Sequence, residues 1–185
     1  MSVGVDAIPG VVLGRLKRFP DSRGSFAEAW RASGGQGVEP FAGVQANLSS
    51  SARGVLRGLH LHQRQLDRWI VLDGVAFVAL VDLRPMVAGE ASEPSVLTAT
   101  LARDDTVVIP PGVAHGFLAI EPLELLYIVT NEYDGTDELG FAWDDPLVAV
   151  DWPVVATADG RPIVSDRDSS NPSVGDLVER LRTAG

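Results

Sequence analysis

The segment Trp69-Ile-Val-Leu-Asp-Gly-Val-Ala-Phe-Val-Ala-Leu-Val-Asp-Leu83 decides the fold prediction. It is apolar and rich in β-branched residues on both sides of Asp73-Gly74, a pair favoured in tight β-turns. We interpret it as two β-strands joined in a hairpin at that turn. A continuous apolar run also fits a buried helix, but the β-branched residues and the central turn favour strands.

The rest of the chain has a similar pattern, in which Gly, Pro, Asp and Ser separate short apolar runs. This spacing is typical of an all-β sandwich or barrel. Only the C-terminal end looks helical: Ser173 and Asp176 fit a capping box, and apolar residues follow at helical spacing over 177–181. The polar segment 156–172 is predicted to be mostly loop. The sequence thus predicts one all-β domain over residues 1–185, with a short C-terminal helix.

The composition excludes several classes of protein. The chain has 185 residues and a net charge of −10, which disfavours a nucleic-acid or anionic-membrane partner. It contains no cysteine, so disulfides, a thiol nucleophile and thiolate metal sites are excluded. Residues 1–10 lack the basic and apolar segments of a signal peptide, and no apolar run is long enough to span a membrane. We therefore expect a cytoplasmic protein with no membrane partner.

The chain has three histidines, and their placement is informative. His60 and His62 lie two residues apart on a predicted strand, so their side chains share one face, while His115 follows a Pro-Pro-Gly turn. Arg57 lies in the same apolar strand as His60, where a cation needs an acidic partner or an anionic ligand. The two are three residues apart, so a regular strand directs them to opposite faces. A bulge at Gly58 would bring both into one pocket.

Other candidate residues are ambiguous by themselves. Tyr127 lies in the apolar run 123–129, where its phenol needs a hydrogen-bond partner, and both a packing and a catalytic role are open. The segment 165–168 has the composition of a solvated turn. Arg23 and Glu28 flank the start of a predicted strand and fit an exposed ion pair.

Short motifs recur in a characteristic order along nearly the whole chain. They include Asp21-Ser-Arg-Gly24 with Phe26 and Glu28, Gln45-Ala-Asn47, Gly54-Val-Leu-Arg-Gly-Leu-His60, Ile109-Pro-Pro-Gly-Val-Ala-His-Gly-Phe117, Leu126-Tyr127, Trp143-Asp-Asp-Pro146 and Ser165-Asp-Arg-Asp168. In this order they resemble the dTDP-4-dehydrorhamnose 3,5-epimerase family of deoxysugar pathways. The resemblance implies a cupin-like jelly-roll β-barrel and a homodimer. It also implies an enzyme that uses no metal or other cofactor and acts on a dTDP-linked 4-keto-6-deoxy sugar.

The resemblance further implies inversion at C3, C5 or both through an enolate. A base removes the proton beside the ketone, and an acid returns one on the opposite face. His60 would be the base, oriented by Asp168, and Tyr127 would be the acid. The residues expected to bind the substrate are Arg23, Arg57 and Arg167 at the diphosphate, and Phe26, Glu28, Gln45, Asn47, Arg68, His115, Tyr133, Glu138 and Trp143 elsewhere.

One position departs from the family pattern. Where the family has a lysine to stabilise the enolate oxygen, this chain has Asp67, and Arg68 is the candidate replacement. The departure leaves open a metal-dependent cupin enzyme, either an isomerase or an oxygenase. Its ligands would be His60, His62, Asp67 and His115. A sugar-nucleotide-binding relative without turnover is also left open.

Overall fold

A computed structural model describes residues 8–34, 40–155, 157 and 160–184. Two five-stranded antiparallel sheets face each other, accompanied by a two-stranded hairpin and short helices. The strands are β1 (Val12–Arg15), β2 (Arg18–Asp21), β3 (Gly24–Ala27), β4 (Gln45–Ser51), β5 (Leu56–Leu61), β6 (Asp67–Asp73), β7 (Val75–Asp82), β8 (Ser95–Ala102), β9 (Asp105–Ile109), β10 (Val113–Ala119), β11 (Leu123–Val129) and β12 (Leu139–Gly140). The helices are α1 (Arg84–Val87), α2 (Asp166–Ser169) and α3 (Val174–Ala184).

The strand order defines the architecture. The first sheet has the order β1-β9-β6-β11-β4, and the second has β12-β5-β10-β7-β8. From β4 to β11 the chain crosses to the other sheet after every strand except β7, which is followed by its neighbour β8. This repeated crossing is the connectivity of a jelly roll. The predicted all-β, cupin-like jelly roll with a short C-terminal helix is confirmed.

The core lies between the sheets and continues on the outer face of the second one. Val78 and Leu80 of β7 pack inward, in a cluster that includes Trp69 and Val107 of the first sheet. The alternate β7 residues pack outward in the cluster that contains Leu177 of α3. Burial on both faces explains why β7 is apolar without the alternation of a half-exposed strand.

The predicted hairpin over 69–83 is wrong in its pairing, although both strands form. β6 pairs with β11 and β9, whereas β7 pairs with β10 and β8. Only Gly74 separates the two strands, and a tight hairpin needs two loop residues. Gly74 has φ +85°, and a Cβ there would lie 1.9 Å from the carbonyl oxygen of Pro122. The chain therefore uses this glycine to cross from one sheet to the other.

The C-terminal helix forms as predicted, with its capping box. The backbone N–H of Asp176 donates to Ser173 Oγ at 3.1 Å, and that hydroxyl donates to the Asp176 carboxylate at 2.6 Å. The described part of segment 156–172 is mostly loop, as predicted, but it includes α2, a single helical turn capped by Ser165, which accepts from the Asp168 backbone N–H. Within the described residues, no helix is both long and apolar enough to cross a membrane.

Candidate active site

A cavity of about 490 Å³ opens at one end of the jelly roll, between the two sheets. Its walls come from the inward-facing residues of five strands, joined by residues from the β5–β6 loop, from the loop before β12, and from α2 and its cap. The lining residues are Gln45, Asn47, Ser49, Arg57, His60, His62, Gln65, Asp67, Trp69, His115, Phe117, Leu125, Tyr127, Val129, Tyr133, Glu138, Ser165, Arg167 and Asp168. Ten of the fifteen predicted site residues are among them.

His60 and Asp168 form the central pair of the cavity. Nε2 of His60 lies 2.8 Å from Oδ1 of Asp168, and the backbone N–H of Gly58 donates to Oδ2 of the same carboxylate at 3.2 Å. Burial acts to raise the pKa of Asp168, but the hydrogen bonds from His60 and Gly58 outweigh it and hold that pKa below its usual value. An ionised Asp168 accepts the proton on Nε2, which leaves Nδ1 of His60 as the basic atom.

The predicted bulge at Gly58 places Arg57 and His60 in the same cavity. His115 pairs with His60 and Phe117 pairs with Arg57, so three steps along β5 match two along β10. Gly58 has φ +131°, and a Cβ there would lie 2.6 Å from Cα of Gly116. A glycine is therefore required, and the extra residue reverses the alternation of side chains.

Tyr127 lies on the opposite sheet from His60. It is the register partner of Asn47 on one side and of Trp69 on the other, and all three side chains line the cavity. Its phenol makes no hydrogen bond to any residue that the structure describes. Burial raises the pKa of Tyr127, and the charge of Arg57 opposes that shift. The phenol is therefore protonated at neutral pH and can donate into the cavity.

Three further titratable side chains, those of His62, Asp67 and His115, lie close together in the wall of the cavity. His115 is buried and its Nε2 lies 3.8 Å from Oδ2 of Asp67, while the rings of His62 and His115 have centroids 5.5 Å apart. Burial lowers the pKa of His115 to about 4, so its imidazole is neutral. His60 is not part of the cluster of ligand atoms formed by the other three, and its Nε2 is held by Asp168. The predicted four-ligand set is thus reduced to three.

Cationic and polar side chains form the rim. Arg57 donates to Ser51 Oγ at 3.1 Å, and Arg167 pairs with Glu138 at 2.6 Å. The amide of Gln45 donates to Oδ1 of Asn47 at 2.9 Å and accepts from the backbone N–H of Tyr133 at 2.9 Å. These contacts position hydrogen-bonding groups around the opening. Two arginines there suit an anionic ligand.

Three predicted substrate-binding residues, Arg23, Phe26 and Glu28, lie outside the cavity. They belong to the β2–β3 hairpin or follow it directly, and that hairpin forms a separate two-stranded sheet. Arg23 pairs with Asp21 at the tip with 88% of its side chain exposed, Phe26 is 67% exposed, and Glu28 pairs with Arg31.

Two other predicted site residues, Arg68 and Trp143, do not face the cavity. Asp67 and Trp69 face the cavity, so Arg68 between them points to the outer face of the first sheet, where it is buried. It therefore cannot supply a cation to the cavity. Trp143 packs with Leu118 on the outer face of the second sheet, also away from the cavity.

Trp69 and Gln65 are site residues that the sequence-based prediction does not include. The indole N–H of Trp69 donates to Oδ2 of Asp67 at 3.2 Å, and the amide of Gln65 donates to Oδ1 at 2.7 Å. Trp69 lies two residues after Asp67 on β6, and Gln65 lies two residues before it, in the loop that leads into the strand. That two-residue spacing is the signal that could have identified them.

The fold and the cavity define a class of protein: a jelly roll whose cavity holds a histidine–aspartate pair on one wall and a tyrosine on the other. The model of the dTDP-4-dehydrorhamnose 3,5-epimerase family matches residues 6–176. A relative of that name from Pseudomonas aeruginosa is 35% identical over 177 residues, covering 92% of this chain and 94% of its own length. The chain belongs to this family.

Solved structures agree with this assignment. An epimerase from Mycobacterium tuberculosis superposes with a TM-score of 0.77 at 30% identity, covering 100% of this chain and 99% of its own. A 3,5-epimerase from Legionella pneumophila, in complex with dTDP-4-keto-L-rhamnose, gives a TM-score of 0.80 at 28% identity, with 95% and 94% covered.

Proposed function

We propose that this protein is an epimerase of a dTDP-linked 4-keto-6-deoxyhexose in a rhamnose-type deoxysugar pathway. The observation that carries the proposal is the His60–Asp168 pair facing Tyr127 across one cavity, in a chain of this family. A ketone acidifies the C–H bonds on both neighbouring carbons, which in a 4-keto sugar are C3 and C5. Inversion at such a carbon needs a base on one face and an acid on the other.

The proposed reaction begins with Nδ1 of His60, which takes the proton from the carbon next to the ketone. The electrons of that C–H bond form the double bond of an enolate, and the negative charge passes to the ketone oxygen. Asp168 stabilises the imidazolium that results. The phenol of Tyr127 then gives a proton to the same carbon from the opposite wall, and proton exchange with water restores both groups.

The rim is suited to the nucleotide part of the substrate. Arg57 and Arg167 are the arginines among the described lining residues, and guanidinium groups bind diphosphate oxygens in pairs of hydrogen bonds. Gln45 and Asn47 offer amides to the base and sugar, with Tyr133 and Glu138 beside them. His115 lies next to His62, deeper in the wall, beside the reacting ring.

The protein is further proposed to be a homodimer. Phe19 and Phe26 expose 49% and 67% of their surface on the β2–β3 hairpin, with ring centroids 6.4 Å apart. An exposed aromatic pair on a hairpin that joins neither sheet is typical of a contact surface. In the proposed dimer, this hairpin brings Arg23, Phe26 and Glu28 to the cavity of the other copy. The cytoplasmic location stays a prediction.

Deuterium incorporation tests the proposed reaction. The protein is mixed with dTDP-4-keto-6-deoxyglucose in deuterated buffer, and the sugar is followed by NMR. Deuterium at C3 or C5, with the inverted product, is the expected result, and its position identifies the carbons that react. His60→Asn is expected to bind the nucleotide but to exchange nothing. Tight binding by the wild-type protein without any exchange would overturn the proposal for this substrate.

A further inference from the structure

Among the described residues, no lysine or arginine side chain pairs with the buried carboxylate of Asp67. This residue is 3% exposed, and the hydrogen bonds to its oxygens come from the neutral groups of Gln65 and Trp69. In the described part of the chain, its nearest candidate for an ion pair is His115, at 3.8 Å. A carboxylate removed from water in this way is stabilised by a bound cation.

Backbone carbonyls orient the rings of the two neighbouring histidines. Nδ1 of His115 lies 3.2 Å from the carbonyl oxygen of Val113, and Nδ1 of His62 is hydrogen-bonded to the carbonyl oxygen of Asp137. A carbonyl oxygen can only accept, so each Nδ1 carries a proton and Nε2 is the ring atom left to coordinate an ion. Metal-binding histidines are usually oriented by this kind of contact.

The geometry of the three side chains fits one ion. One ligand atom from each of His62, Asp67 and His115 lies within 4.8 Å of the others. Around a tetrahedral zinc ion, ligand atoms about 2.1 Å from the metal stand roughly 3.4 Å apart. The three atoms would need to approach one another by no more than about 1.4 Å to reach that separation. Two imidazoles and a carboxylate suit a divalent first-row transition ion and leave positions open toward the cavity.

We propose that His62, Asp67 and His115 form a binding site for one divalent transition-metal ion inside the cavity. His60 stays outside the site, because the cluster of ligand atoms does not include it, and Asp168 holds its Nε2. An ion there would supply positive charge next to the ketone oxygen of the substrate, a role that rests on the proposed epimerase function.

Binding of the metal alone, without sugar nucleotide, tests the site. Chelator-treated protein is titrated with Zn²⁺ by calorimetry, and with Co²⁺ by its visible absorption. We expect one equivalent to bind to the wild-type protein. Loss of a residue that only supports a metal ligand typically weakens binding ~10- to 100-fold. Asp67→Asn and His62→Gln each remove a proposed ligand, so we expect at least that loss of affinity. Asp73→Asn, an exposed carboxylate on the same strand, and His60→Asn should bind as the wild type does.

The possible outcomes distinguish failure of the proposed metal site from failure of the proposed epimerase reaction. No saturable binding to the wild-type protein, or binding that Asp67→Asn leaves unchanged, would overturn the site. Circular dichroism of each variant shows whether a loss reflects unfolding, and the wild-type titration decides the question without any variant. If the metal binds as expected but its removal leaves the deuterium exchange unchanged, the role at the ketone is wrong. If the metal binds but neither the metal-loaded nor the chelator-treated protein exchanges deuterium into the substrate, the proposed reaction is wrong and the metal site is supported.

Discussion

Nε2 of His60 lies 2.8 Å from Oδ1 of Asp168, although 108 positions separate the two residues in the chain. His60 is on β5, in the second sheet, and Asp168 is on the single turn of α2. The same carboxylate also accepts the backbone N–H of Gly58. One acidic side chain therefore fixes both the tautomer of the histidine and the bulge that directs it into the cavity.

Replacing Asp168 with asparagine should abolish most of the activity without removing the histidine. The amide oxygen takes the hydrogen bond from Gly58, so the amide N–H₂ faces Nε2 of His60. Nε2 must then be the acceptor, which moves the ring proton to Nδ1 and removes the proposed base. We expect kcat to fall by about 10³- to 10⁴-fold, measured by NMR with dTDP-4-keto-6-deoxyglucose. Asp166→Asn, on the same turn, is the control, and equal losses in both would contradict the tautomer argument.

Replacing Tyr127 with phenylalanine should separate the two proton transfers. The phenol makes no hydrogen bond to a described residue, so its loss leaves the thermal unfolding midpoint nearly unchanged. The base remains, and deuterium should still exchange into the substrate on its original face. Formation of the inverted product should fall by about 10²- to 10⁴-fold. Tyr133→Phe at the rim is the comparison, because loss of a substrate-binding hydroxyl should raise KM and leave the rate of inversion at saturating substrate nearly unchanged. An unchanged epimerisation rate for Tyr127→Phe would show that another group is the acid.

Gly58→Ala should be among the most destabilising single-methyl additions in the protein. The new Cβ meets backbone atoms of Gly116 that cannot move away, and the φ of +131° disfavours any L side chain. We expect a loss of ~3 kcal/mol or more in urea unfolding. Gly89 has φ +76°, and a Cβ added there would meet no described atom within 4 Å. Gly89→Ala should therefore cost only about 1 kcal/mol. Similar losses for both would remove the steric argument.

Local sequence was sufficient for some features and not for others. Strand alternation and the bulge at Gly58 correctly placed Arg57 beside His60, because both depend on residues close in the chain. The predicted pairing of β6 with β7 was wrong, because tertiary packing determines which strands become neighbours in a sheet. The sequence predicts a loop at the turn that carries Asp168, because four polar residues behind a serine cap look like a solvated turn. The outward direction of Arg68 could have been predicted, because side chains alternate along a strand and Asp67, the preceding residue, faces the cavity.

The ion pair between Arg18 and Asp104 should make stability depend on acid pH. Hydrogen bonds from Arg18, at 2.6 Å to each carboxylate oxygen, hold the pKa of Asp104 below its usual value of 3.8. A lowered folded-state pKa adds stability above the unfolded-state pKa, and this is lost as the pH falls through the folded-state value. The unfolding midpoint of Asp104→Asn should lie below that of the wild type at pH 6, and the difference should close below pH ~3.8.

Asparagine is the suitable replacement at this position because Asp104 has φ +75°, a conformation that asparagine tolerates. Asp73→Asn, whose side chain is 72% exposed, should show no comparable difference at pH 6. A gap between wild type and Asp104→Asn that persists unchanged at pH 2 would mean that the carboxylate charge is not its cause.

The position of the β2–β3 hairpin predicts that each cavity uses Arg23 from the other copy of the chain. Arg23→Ala and His60→Asn should each be nearly inactive alone. When the two variants are co-expressed in equal amounts, half of the dimers are mixed, and each mixed dimer has one intact cavity. Activity should then recover to about a quarter of the wild-type value. Co-expression of His60→Asn with Asp168→Asn is the control, because both changes affect the same cavity and no intact one can form. Absence of recovery in the first pair would place Arg23 in its own chain's site or outside catalysis.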